Sequence, residues 1–298
     1  MERNDSKWAV VAGIAMIAIY AVQFVAARFS LRDHLTPSDM AILRFAAAGA
    51  AFLPIMLGTG FSSARALGLR KAAVLALLAG LPYPLVINWG LTYAPAAHAA
   101  ALCPASIVFF SFALSRVVFA DRISRERAIG IAAIIGGLML FIAPTGRSAT
   151  GVLFGDTLFI GSGLMFSAYA ILIRRWSVDP VIATASVVLL SCLPLPLLFA
   201  VAPSGFAGAP AVEIVAQVVI QGLLAGAAAM FLYTYIVRQL GPQTASLFMP
   251  CVPIAVALLG AVLLAEVPGP SQIAAILIMA AGMAYPAMRR RSSAEHAT

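Results

Sequence analysis

The chain is a succession of apolar runs, and the length of those runs decides what it can fold into. Ten stretches are mainly apolar: residues 8–29, 37–57, 72–91, 95–119, 128–143, 152–173, 180–201, 212–237, 242–264 and 271–288. A helix needs about 20 such residues to cross a bilayer. In lipid every backbone N–H and C=O must bond within the protein, so unbroken runs of this kind resolve as helices. Mean hydropathy of +1.01 with 10% charged residues excludes an ordinary water-soluble domain, where about a quarter of residues are charged. The expected fold class is an all-α integral membrane protein of ten transmembrane helices. The first run is longer than a signal-peptide core and reads as a retained helix.

Charge sets the orientation. With the N-terminus inside, all of the 19 Lys and Arg except Arg28, Arg32, Arg44 and Arg147 fall in the tails or in alternate loops on one side. Basic loops stay cytoplasmic, which places both termini inside a bacterial inner membrane. The net charge of +8 is thus a topology signal. No basic stripe interleaved with aromatics accompanies it, so the expected partners are the bilayer and a small molecule, with no nucleic acid. Cys103, Cys192 and Cys251 sit inside apolar runs without ligand spacing, which argues against a metal site or a disulfide framework. Without an HExxH motif, a P-loop or paired carboxylates, neither an enzyme nor a cofactor is expected.

One passage occurs twice. LTYAPAAHAAALCPASIVFFSFALSRVVFADRISRERAIGIAAIIGG starts at Leu91, and LGPQTASLFMPCVPIAVALLGAVLLAEVPGPSQIAAILIMAAGM starts at Leu240. Pro104 and Pro250 lie 146 residues apart, while the pairs Asp121/Glu266 and Gly137/Gly282 are each 145 apart. A near-constant offset marks a duplicated unit. We divide the chain into repeats 1–147 and 148–298, forming one transport domain. Five helices per repeat is an odd number, so the second copy enters the membrane inverted, as in carriers that alternate access around a midplane site.

The candidate site follows from polar groups within the runs. Asp33, Asp39, Asp121, Asp156, Asp179, Glu213 and Glu266 read as lying in loops or at helix ends. Without a mid-helix carboxylate relay, transport is expected to run down the substrate's own gradient. Tyr20, Gln23, Tyr83, Asn88, His98, Tyr169 and Tyr233 are the candidate substrate contacts, since Asn, Gln and His are costly against lipid. Each has a competing role in helix–helix hydrogen bonding. Pro104 and Pro250 are candidate gate hinges, because an interior proline removes a ladder hydrogen bond; a fixed packing kink is the alternative. Arg44 either meets an anionic group or snorkels to the headgroups, and snorkelling is the expected role. Glycines at 136, 137, 222, 226 and 282 permit close helix packing, and a monomer is expected.

These features resemble the EamA repeat of the drug/metabolite transporter superfamily. In the first copy the likeness is carried by Leu91-Thr92-Tyr93-Ala94, Pro104, Asp121-Arg122, Gly130 and Gly137. In the second it is carried by residues 237–241, Pro250, Glu266, Ala275 and Gly282, and Arg44-Phe45 resembles the Arg-Phe of the family's second helix. Asp121 stands where that family usually has Glu, Val267 replaces an Arg and Ala275 a Gly. The resemblance implies ten helices in two inverted repeats and export of small metabolites. Among members the chain is most similar to YddG-type exporters of aromatic and other amino acids. A drug or nucleotide-sugar carrier is the rival within transport, and a membrane enzyme or scaffold is the rival outside it.

Overall fold

The computed structural model describes residues 2–59, 67–120, 124–142, 149–178, 180–229, 232, 236 and 248–295. Among them there is no strand. The helices are α1 (Glu2–Asp33), α2 (Pro37–Thr59), α3 (Leu69–Ala79), α4 (Pro82–Tyr93), α5 (Ala96–Phe119), α6 (Arg125–Ile142), α7 (Ala149–Trp176), α8 (Pro180–Cys192), α9 (Leu195–Val201), α10 (Ala211–Gln217), α11 (Cys251–Leu263) and α12 (Pro270–Glu295), with a π-helical segment, Val218–Ala228, continuing α10. Among the described residues, five helical stretches are long and apolar enough to cross a membrane: Trp8–Asp33, Leu69–Tyr93, Ala96–Phe119, Gly151–Trp176 and Ile182–Val201. Ala211–Gly226, Cys251–Leu263 and Pro270–Pro286 are apolar but shorter.

Local chemistry explains the ends. Thr36 and Asp39 form a reciprocal capping box with Pro37 as the first helical residue: the Asp39 N–H donates to Thr36 Oγ1 at 3.2 Å and the Thr36 N–H donates to Asp39 Oδ2 at 2.9 Å. The proline-bearing helix of each repeat stops on a left-handed alanine, Ala120 (φ 54°) after α5 and Ala265 (φ 56°) after α11. In the second, the Glu266 N–H returns to the Gly260 carbonyl at 3.2 Å, which closes the helix and sets the acidic side chain just beyond it.

The most extensive packing joins elements far apart in the chain, α6 with α12 and α5 with α7. Glycine makes the first possible. A Cβ on Gly130 would stand 2.6 Å from the Gly282 carbonyl oxygen, and one on Gly282 would stand 2.8 Å from that of Gly130. Gly282→Val should therefore destabilise the fold by about 1–3 kcal/mol, read as a lower unfolding midpoint in detergent. Gly136→Ala, with nothing within 4 Å of the added carbon, should leave that midpoint unchanged.

One sequence expectation is corrected here. Asp156 is not at a helix end. Helix α7 starts at Ala149, ahead of the apolar run, so Asp156 lies two turns inside it and is buried at 3% exposure.

Candidate functional site

Two spans break near their middles. Leu69–Tyr93 stops at Gly80 and restarts at Pro82; Ile182–Val201 stops at Cys192 and restarts at Leu195. A proline in the first turn of a helix costs nothing, because that N–H has no partner within the helix. Pro82 and Pro84 thus begin α4, and Pro194 caps α9. The breaks meet. The Leu81 N–H leaves the ladder and donates to Ser191 Oγ at 3.0 Å, and a Cβ on Gly80 would fall 2.3 Å from that oxygen. The repeat offset of 146 carries Gly80 to Gly226, inside the π-helical segment. Both repeats therefore depart from α geometry at matched positions. Such interruptions are the backbone signature of midplane sites in carriers.

Beside this region lies Arg44. The capping box fixes the start of α2, which places Arg44 two turns in, about 10 Å along the axis. Asp39 also accepts from Ser204 Oγ at 2.9 Å and from the Gly205 N–H at 2.8 Å, so the start of α2 is tied to the loop after α9. Arg44 is half-buried, and its electrostatic neighbours are Tyr83 of α4 and Tyr20 of α1. Among the described residues no carboxylate lies within ion-pairing distance of it. From Tyr83 an aromatic file runs to Phe166, with centroids 5.4 Å apart, and on to Tyr169 at 5.5 Å. These are attractive tilted arrangements.

The remaining candidates sit elsewhere. Asn88 is buried in α4. Gln23 lends its backbone carbonyl to Gln221 Nε2 at 3.2 Å. His98 is held on both ring nitrogens. Gln272 Oε1 accepts the Gly269 N–H at 3.0 Å, so its amide nitrogen faces His98 Nε2, also at 3.0 Å, and donates to it. The ring proton then belongs to Nδ1, which lies 2.7 Å from Asp156 Oδ1. His98 is a knot between α5, α7 and α12. Pro104 lies inside an unbroken α5, whereas Pro250 stands at the N-cap of α11. Tyr233 lies outside the described residues.

Several pairings were not anticipated from the sequence. Gln217 and Gln221, four residues apart in an apolar run, tie α10 and the π-helical segment to α1; their spacing was the available signal. Glu266 of the second repeat accepts Arg28 Nε at 2.8 Å on Oε1 and the Ala96 N–H at 3.0 Å on Oε2. It thereby caps α5 of the first repeat, while Arg28 also donates to the Leu91 carbonyl. Nothing local in the sequence signals that pairing.

The EamA-like transporter family model matches residues 7–143 and again 153–285. The chain belongs to the EamA-like transporter family. It is a multi-pass membrane transporter of two EamA repeats. No curated protein matches it in sequence. A solved crystal structure is similar over 96% of this chain and 98% of its own, with a TM-score of 0.61 and 22% identity. At that identity the likeness shows the EamA chain's fold alone.

Proposed function

We propose that this transporter exports small zwitterions, aromatic and other neutral amino acids above all, by alternating access down their own gradient. The observation that carries the reading is Arg44: a half-buried guanidinium two turns into α2, without a carboxylate partner among the described residues and with Tyr83 and Tyr20 as its electrostatic neighbours. A buried charge is costly unless paired, and a substrate carboxylate supplies the partner. The Tyr83–Phe166–Tyr169 file offers an apolar, aromatic wall of the kind that small-molecule sites use for a side chain. Tyr233, Asn88, Gln23 and His98 remain candidate contacts, with Pro104 and Pro250 as hinges. Ten crossings in two inverted repeats, with both termini cytoplasmic in a bacterial inner membrane, suit the charge distribution.

Counterflow in proteoliposomes tests this. Preloaded tryptophan or phenylalanine should drive uptake of the labelled amino acid, and Tyr83→Ala should slow it by roughly tenfold, the loss of about 1.4 kcal/mol of aromatic contact, with membrane expression intact. Counterflow with lipophilic cations and none with amino acids would favour the drug-efflux reading. Asp156 is a buried carboxylate beside His98, so the downhill mechanism rests on this measurement: net movement under a pH gradient at equal substrate concentrations would overturn it.

A further inference from the structure

Three of the long apolar stretches meet at one face of the bundle: Leu69–Tyr93 begins there, and Ala96–Phe119 and Gly151–Trp176 finish there. Arg174 fastens the last two together, with its guanidinium 4.0 Å over the Phe119 ring and Nη1 donating to Ser115 Oγ at 3.0 Å. Two residues on, Trp176 carries the Lys71 ammonium 5.6 Å above its ring, which brings in the start of α3. This corner is basic. Residues 65–71, 116–127 and 174–179 hold nine Lys or Arg against three Asp or Glu.

Arg70, Lys71 and Arg175 are exposed there, and among the described residues no carboxylate lies within ion-pairing distance of them. Helix stability does not account for their placement. Arg70 and Lys71 stand in the first turn of α3, where the helix dipole opposes a cation and no acid offsets it. Topology would be served by cations anywhere in the loop. The apolar surface beside them has a direction: Arg70, Val74 and Leu77 follow one another at helical spacing on an exposed stripe of α3. A cation at the end of a membrane-crossing stretch thus heads a strip of surface that faces acyl chains. None of these side chains is among the candidate substrate contacts.

We propose that this corner binds an anionic phospholipid, its phosphodiester held by Arg70, Lys71 and Arg175 and an acyl chain lying along Val74 and Leu77. Phosphate oxygens accept strong hydrogen bonds from ammonium and guanidinium groups, and basic pockets between membrane helices recognise anionic headgroups. Phosphatidylcholine and phosphatidylethanolamine carry the same phosphate but would set their own cation against three others. A free phosphate has no chain to lay on α3.

Trp176 reports on the site directly. The test uses the full chain with Trp8→Phe and Trp89→Phe, both exposed positions, reconstituted in phosphatidylcholine bilayers. A rising share of the lipid is phosphatidylglycerol brominated near the headgroup end of its chains or, in parallel, phosphatidylcholine brominated in the same way. Quenching of Trp176 should show a preference for phosphatidylglycerol of roughly twentyfold or more. Lys71→Gln and Arg175→Gln should each lower that preference about fivefold, as expected for one basic side chain near a membrane surface. Each variant is compared with itself in the two lipids, so a change in the tryptophan's own emission cancels. Arg125→Gln, an exposed cation at the start of α6, should leave the preference unchanged. Equal quenching by the two lipids overturns the proposal. So does an equal loss in Arg125→Gln, which would mean diffuse surface charge, or relief of quenching by inorganic phosphate, which would mean a site for a free anion.

Discussion

Replacing Arg44 by alanine is expected to reduce amino-acid counterflow about a hundredfold or more, with the protein still inserted and monodisperse. The magnitude follows from the cost of truncating one partner of a buried charge pair, about 2–5 kcal/mol. The partner lost here is the substrate's carboxylate, so the penalty falls on transport and spares the empty carrier. Arg44→Lys keeps the charge but loses the planar fork that meets a carboxylate with two hydrogen bonds, and it should restore only part of the flux. Esterified amino acids, which have no carboxylate to present, should be poor competitors of the wild type and no poorer against Arg44→Ala. Equal flux in wild type and Arg44→Ala would remove the residue from the site.

Glu266→Ala should act on stability rather than on selectivity. Glu266 and Arg28 are only 12% and 13% exposed, and Arg32 approaches the same oxygen at 3.7 Å. Removing the carboxylate strands the Arg28 guanidinium and uncaps α5 at Ala96. Breaking a buried pair from one side costs about 3–5 kcal/mol, expected as a marked fall in the unfolding midpoint in detergent. Arg28→Met in the Glu266→Ala background should recover part of it, because no buried charge then remains. Glu266→Gln, which keeps an acceptor for the Ala96 N–H, should fall between. A double variant no better than the single would mean that the cap, and not the ion pair, is what matters.

How much of this was legible beforehand depends on the range of the interaction. Hydropathy is a local property, so the apolar runs located helical segments, and the second run begins at Pro37, where α2 starts. Pro82 and Pro84 in the third run and Pro194 and Pro196 in the seventh allow a kink or a full break, which have the same composition. What separates them is Ser191 Oγ, 110 residues from the Leu81 N–H it accepts. Asp156 was misplaced because hydropathy located the apolar run and not the helix, which begins earlier at Ala149. Arg44 was weighed by its distance from the helix end, and its electrostatic neighbours Tyr20 and Tyr83 come from other helices. Glu266 was visible as a mark of duplication; that it serves Arg28 and Ala96 of the other copy is a long-range fact.

Helix α5 of the first repeat is capped by a carboxylate of the second, and the broadest helix pairings, α6 with α12 and α5 with α7, also join different repeats. Neither repeat is complete without the other: separated, the first would keep an uncapped α5, and both would expose the faces that now pack together.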